Sequence, residues 1–202
     1  MGRLRVAITR HPAVFGIVAA YYVAFAAYGY ANDSRLTTSY LLTIGVGFLG
    51  LAAAEATVGF SRLVVVGLTL WGAGHLAGGI VLLDGGERIL YNGLFTRWIH
   101  FDNVVHFVAF GTSGLACWEA IQRWVRSDFR PTKRMVVLTV AVLGSGIGAI
   151  NEVIEFGITH AVPETQIGGY ENTGRDLVAN LLGGLTMGLV ATRRPRRPPD
   201  PA

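Results

Sequence analysis

Charge is the first thing this chain has little of. Among 202 residues only 15% are Asp, Glu, Lys or Arg, where soluble domains carry about a quarter. There is one cysteine, Cys117, and one lysine, Lys133. A single thiol excludes an intrachain disulfide and any Cys-x-x-Cys metal or redox motif. No phosphate-binding loop of the Walker type is present, and no Ser/His/Asp order of a hydrolase. The net charge of +4 comes almost wholly from arginine. In so apolar a chain this charge marks sidedness at a membrane, and no nucleic-acid partner is expected.

What the chain has in quantity is hydrocarbon and glycine: 51% hydrophobic residues and 27 glycines. The apolar residues fall into runs of about 20, enough to cross roughly 30 Å of bilayer core. The expected fold is therefore all-α, an integral membrane helical bundle. Six spans can be drawn, at 12–31, 39–59, 63–83, 100–121, 135–158 and 174–192. Residues 1–192 would form one transmembrane domain, and 193–202, rich in Arg and Pro, a disordered basic cytoplasmic tail. The first run is longer than the core of a signal peptide, so it is expected to remain as a span.

Arginine placement sets the orientation. Arg3, Arg5 and Arg10 precede the first span, Arg62 sits between the second and third, and Arg123, Arg126, Arg130, Lys133 and Arg134 lie between the fourth and fifth. Arg193, Arg194, Arg196 and Arg197 follow the sixth. These segments alternate with poorer ones at 32–38, 84–99 and 159–173. With six spans all the basic segments fall on one face, so both termini are expected in the cytoplasm. Gly74/Gly78, Gly144/Gly148 and Gly184/Gly188 are small-xxx-small pairs suited to close helix approach.

Against this background the polar residues stand out. Asp102 and His106 are four apart and share a helix face. Glu152 and Glu155 are three apart near the end of the fifth span. Asp176 and Asn180 are four apart in the sixth, on a stripe continued by Gly184 and Gly188. At 1.5 Å per residue these pairs, and His75 on the third span, all fall within about 12 Å of the outer ends of their spans. Intramembrane charges are costly, upward of about 2.5 kcal/mol each, and usually meet partners in a cavity. Four carboxylates in a low dielectric must share protons or bind a cation. Mixed imidazole and carboxylate donors suit a divalent transition metal, Zn, Mn or Fe, better than calcium. Asp102, His106, Glu152, Glu155 and Asp176 are the candidate catalytic groups and metal ligands. His75, His100, Arg175 and Asn180 are candidate binding or supporting residues. The Gly/Asn-rich stretch 166–174 leads into a helix start, with Thr173 a candidate N-cap. Glu55 and Glu119, toward the inner ends of their spans, are expected to pair with Arg62 and Arg123.

The order Asp102-x-x-x-His106-Phe107, Asn151-Glu152-x-x-Glu155 and Arg175-Asp176-x-x-x-Asn180-x-x-Gly183 resembles the VanZ-like membrane proteins and the related YjdF family of inner-membrane proteins. The likeness covers roughly residues 70–190. Asn103 stands where VanZ-like sequences often have lysine, and the Glu-x-x-Glu pair is nearer the YjdF type. The resemblance implies a small polytopic membrane protein, and for the VanZ type a link to glycopeptide resistance at the cell envelope. It supplies no reaction. Three functions stay open: an enzyme acting on a membrane lipid or lipid-linked envelope precursor, an ion- or proton-coupled transporter, and a non-catalytic scaffold with an ion-pair core.

Overall fold

The computed structural model describes residues 2–125, 129–161 and 166–194. Arg126, Glu164 and the basic tail from Pro195 onward lie outside the described residues. The chain forms helices α1 (Arg3–Arg10), α2 (Pro12–Ala31), α3 (Thr37–Val58), α4 (Arg62–Ile80), α5 (Phe101–Trp124), α6 (Lys133–Ala161) and α7 (Tyr170–Ala191). A two-stranded ribbon, β1 (Leu82–Leu83) with β2 (Arg88–Ile89), interrupts them after α4. The chain divides into two compact units, Met1–Val105 and His106–Ala202, the boundary falling inside α5.

Helices α2 to α6 are each long and apolar enough to cross a membrane. Their outer surfaces agree. Val23, Val46, Val142, Val153 and Phe156 are all about two-thirds exposed. Water would not tolerate such a density of bare hydrocarbon, whereas lipid does. Helix α7 has the length, 22 residues, or about 33 Å. It is not among the five most apolar helices, because Arg175, Asp176, Asn180 and four glycines dilute its hydrocarbon. Expected as a sixth span, it has the length to cross a membrane but not the hydropathy, and five helices meet both requirements among the described residues.

The first unit is a helical bundle with a short amphipathic entry helix. Leu41 and Ile44 of α3 and Leu76 and Ile80 of α4 make its core, with Tyr21, Tyr22 and Phe25 of α2 packed against them. His11 leaves helical backbone between α1 and α2, and Pro12 opens α2 in the first turn, where its missing N–H costs nothing. Gly59 ends α3 in a left-handed conformation (φ 61°) that glycine adopts freely. Ser61 then caps α4 by accepting the N–H of Val64. The third span stops at Ile80, short of the expected residue 83, since Leu82 and Leu83 turn into the ribbon instead.

In the second unit, α6 and α7 run antiparallel. Gly188 meets Val137, Gly184 meets Ala141 and Asn180 meets Gly148, so one helix ascends as the other descends. Helix α5 joins them by the same device: Gly111 lies on the Gly183 backbone and Gly114 on Gly144. A Cβ at Gly184 would sit 2.8 Å from the Ala141 Cα, and one at Gly188 would sit 2.8 Å from the Val137 Cα. Of the glycine pairs read from the sequence, Gly144, Gly184 and Gly188 do separate backbones. Gly148 instead makes room for the Asn180 side chain, and in the first unit Gly74 and Gly78 accommodate Val105 and the Tyr91 ring.

Candidate functional site

The second unit gathers most of the expected polar residues. His106 lies one turn into α5 and is 4% exposed. Its Nδ1 is 3.1 Å from Asn180 Oδ1 on α7 and 3.7 Å from Glu152 Oε1 on α6. Phe110, one turn on, holds the imidazole edge-to-face at 5.1 Å between ring centres. An Nδ1–H donated to the Asn180 carbonyl leaves Nε2 as the lone-pair nitrogen of the ring. Donor atoms of His106, Glu152 and Glu155 lie within 4.8 Å of one another. That is close to the span of up to about 4.4 Å available to ligands held 2.0–2.2 Å from one ion.

Two of the acids are held by asparagines of their own helix. Asn151 donates to Glu155 Oε1 at 2.7 Å, and Asn172 donates to Asp176 Oδ2 at 2.6 Å. Asp176 and Asn180 are fully buried and Glu152 nearly so. Such carboxamide bonds orient the carboxylates from the neighbouring turn. The roles of Asn151 and Asn172 were not read from the sequence. The signal was there in an Asn four residues before an acid, on a helix that must satisfy its polar groups internally.

Asp102 is on α5 one turn before His106, in the same helix but within the first unit. His100 precedes the helix, and its backbone N–H donates to Asn103 Oδ1 at 2.9 Å. This is half of a capping box, which accounts for asparagine at that position. His75 sits in the first unit in an aromatic setting. Its Nδ1 bonds the Tyr91 hydroxyl, and the rings of Tyr40 and Trp71 lie 5.1 and 6.0 Å away. Arg175 pairs with Glu171 one turn earlier. Residues 170–174, expected to be loop, are the first turn of α7. Its N-cap is Gly169 rather than Thr173, whose N–H bonds back to Gly169.

Two buried acids find partners far along the chain. Glu55 reaches not Arg62 but Arg10 (3.5 Å) and His11 (3.1 Å), and it also accepts the N–H of Phe60 at 2.5 Å. Glu119 is held by Arg194 at 3.1 Å, past the end of α7. Sequence distance hid both: the partners are more than 40 residues away, and charge spacing along one helix reports only neighbours.

Apolar helices with bare outer surfaces and a buried cluster of histidine and carboxylates define a multi-pass membrane protein with a polar intramembrane site. The family model described as Predicted membrane protein (DUF2238) matches residues 13–197. The chain belongs to that family. No curated protein and no solved structure matches it.

Proposed function

We propose that His106, Glu152 and Glu155 hold a divalent transition metal within the membrane, with Asp176 as a further carboxylate, and that the site acts on a lipid or lipid-linked envelope substrate. The observation that carries this reading is the convergence of three donor groups from two helices, with the imidazole oriented by Asn180. A merely structural histidine has no need of two acids at ligand distance. A metal would supply Lewis acidity to a polarised substrate oxygen. The chain's own groups divide the remaining work. Asn180 sets the ring tautomer, Asn151 and Asn172 aim the carboxylates, and Asp176 can hold or release a proton.

The likeness of the Asp-x-x-x-His, Glu-x-x-Glu and Asp-x-x-x-Asn order to VanZ-like and YjdF proteins supports an envelope role without naming a reaction. One imidazole with several carboxylates favours Mn, Fe or Zn over softer ions. The test is elemental analysis of detergent-purified protein beside a Glu152→Gln/Glu155→Gln variant. About one equivalent of metal, lost in a variant of unchanged helix content, is the expected result. Wild-type protein that takes up no Mn, Fe or Zn on reconstitution overturns the metal site.

A further inference from the structure

A second feature lies wholly in the first unit. Between α1, α2, α3 and α4 is an apolar pocket with about 470 Å³ of free space, its open mouth included, lined by Val14, Val18, Phe48, Leu51, Ala52 and Val65 among others. Its few polar neighbours are already satisfied. The Thr69 hydroxyl bonds the Val65 carbonyl at 2.8 Å, and Glu55 is held by Arg10, His11 and the Phe60 N–H. A polar solute would find no unmet hydrogen bond inside. Three of the helices that form the pocket are membrane-spanning by length and hydropathy, so what reaches it is bilayer hydrocarbon.

The end near α1 has a different character. Helix α1 carries Arg3, Arg5 and Arg10 and no acid. Arg3 and Arg10 are seven apart, on one face. Arg10 uses Nη1 on the Glu55 carbonyl (2.9 Å) and carboxylate, while its side chain stays 45% exposed. A guanidinium has five donors, so others remain for an anion. Ala7 is buried at the pocket, whereas Leu4 and Ile8 stand exposed on α1. An amphipathic helix of this kind, with arginines beside bare Leu and Ile, rests in the headgroup layer.

We infer that the first unit holds one anionic phospholipid, a single acyl chain in the α1–α4 pocket and the phosphate at Arg10. Pocket and headgroup site are complementary to a lipid's two chemistries and are adjacent at the same end of the bundle. The Glu55–Arg10–His11 cluster closes the pocket where tail gives way to headgroup. The inference is independent of the proposed metal site, since it uses none of its residues.

Native mass spectrometry of the full chain, titrated with phosphatidylglycerol or with phosphatidylcholine of identical tails, tests it. Wild-type protein should retain one phosphatidylglycerol at least fivefold better than phosphatidylcholine. Ala52→Phe and Val18→Phe, which fill the pocket from different helices, should lower retention of both lipids at least fivefold. Arg10→Gln, which leaves His11 and the Phe60 N–H on Glu55, should abolish the preference between headgroups. Equal retention of the two lipids by wild-type protein, which requires no variant to fold, overturns the proposal. So does undiminished phosphatidylglycerol retention in a folded pocket-filling variant.

Discussion

Alanine at Gly184 is the sharpest probe of how the second unit is built. The added methyl would meet the Ala141 Cα at 2.8 Å and its carbonyl oxygen at 3.1 Å. These are backbone atoms of α6, so no side-chain rotation can relieve the contact. To reach an ordinary separation the helices must move apart by roughly 0.6 Å, an overpacking of the kind that costs about 1–3 kcal/mol. The rest of the seam would share the movement, because Gly188, one turn on, lies on the Val137 backbone of α6, and Gly183, the preceding residue, lies on the Phe107 backbone of α5. Helix propensity alone points the other way, since alanine is favoured over glycine by about 1 kcal/mol. Gly146 on α6 isolates that term, because nothing lies within 4 Å of a Cβ built there. The assay is thermal unfolding in one detergent, followed by circular dichroism. Gly184→Ala should have a Tm several degrees below that of Gly146→Ala, at about 2–4 °C per kcal/mol for a chain of this length. Gly146→Ala should leave the wild-type Tm unchanged or raise it. A Gly184→Ala protein as stable as Gly146→Ala would refute the claim that α6 and α7 touch through backbone.

His75→Phe keeps the aromatic packing with Tyr40 and Trp71 but removes the bond to Tyr91; it should cost about 0.5–1.5 kcal/mol in the same assay and leave metal content as in wild type. Metal loss in that variant would make His75 part of the site. Glu55→Ala strips Arg10, His11 and the Phe60 N–H of their shared acceptor, so α1 should detach and trypsin should cut after Arg10 at least several-fold faster; an unchanged cleavage rate would show that the ion pair does not hold α1.

The membrane character of this protein was legible in the chain because hydrocarbon thickness is a length, and a run of about 20 apolar residues reports it directly. All six drawn spans reappear as helices within four residues of the expected ends, and five of these helices are long and apolar enough to cross a membrane. The ends that moved did so where a local hydrogen bond outweighed hydropathy, as at the ribbon that takes Leu82 and Leu83 out of α4. The helix α1 was missed, since eight residues with three arginines look like a bare cytoplasmic lead-in until Ala7 and Arg10 find α3.

The candidate site was half legible. Costly polar residues in apolar runs announce themselves one helix at a time, and spacing of three or four told which of them share a face. Which faces meet is a different question. That His106 bonds Asn180 and lies near Glu152, that Asn151 and Asn172 aim two carboxylates, and that Glu55 belongs to Arg10 and His11 are decisions of packing. They depend on helix rotation and on glycines that let backbones close to contact. By itself the sequence determined the solvent of this protein, its helices and the inventory of its chemistry, because those follow from local composition and period. Only the tertiary structure decided the partners, because a hydrogen bond is settled by ångströms between chains of atoms that sequence separation does not measure.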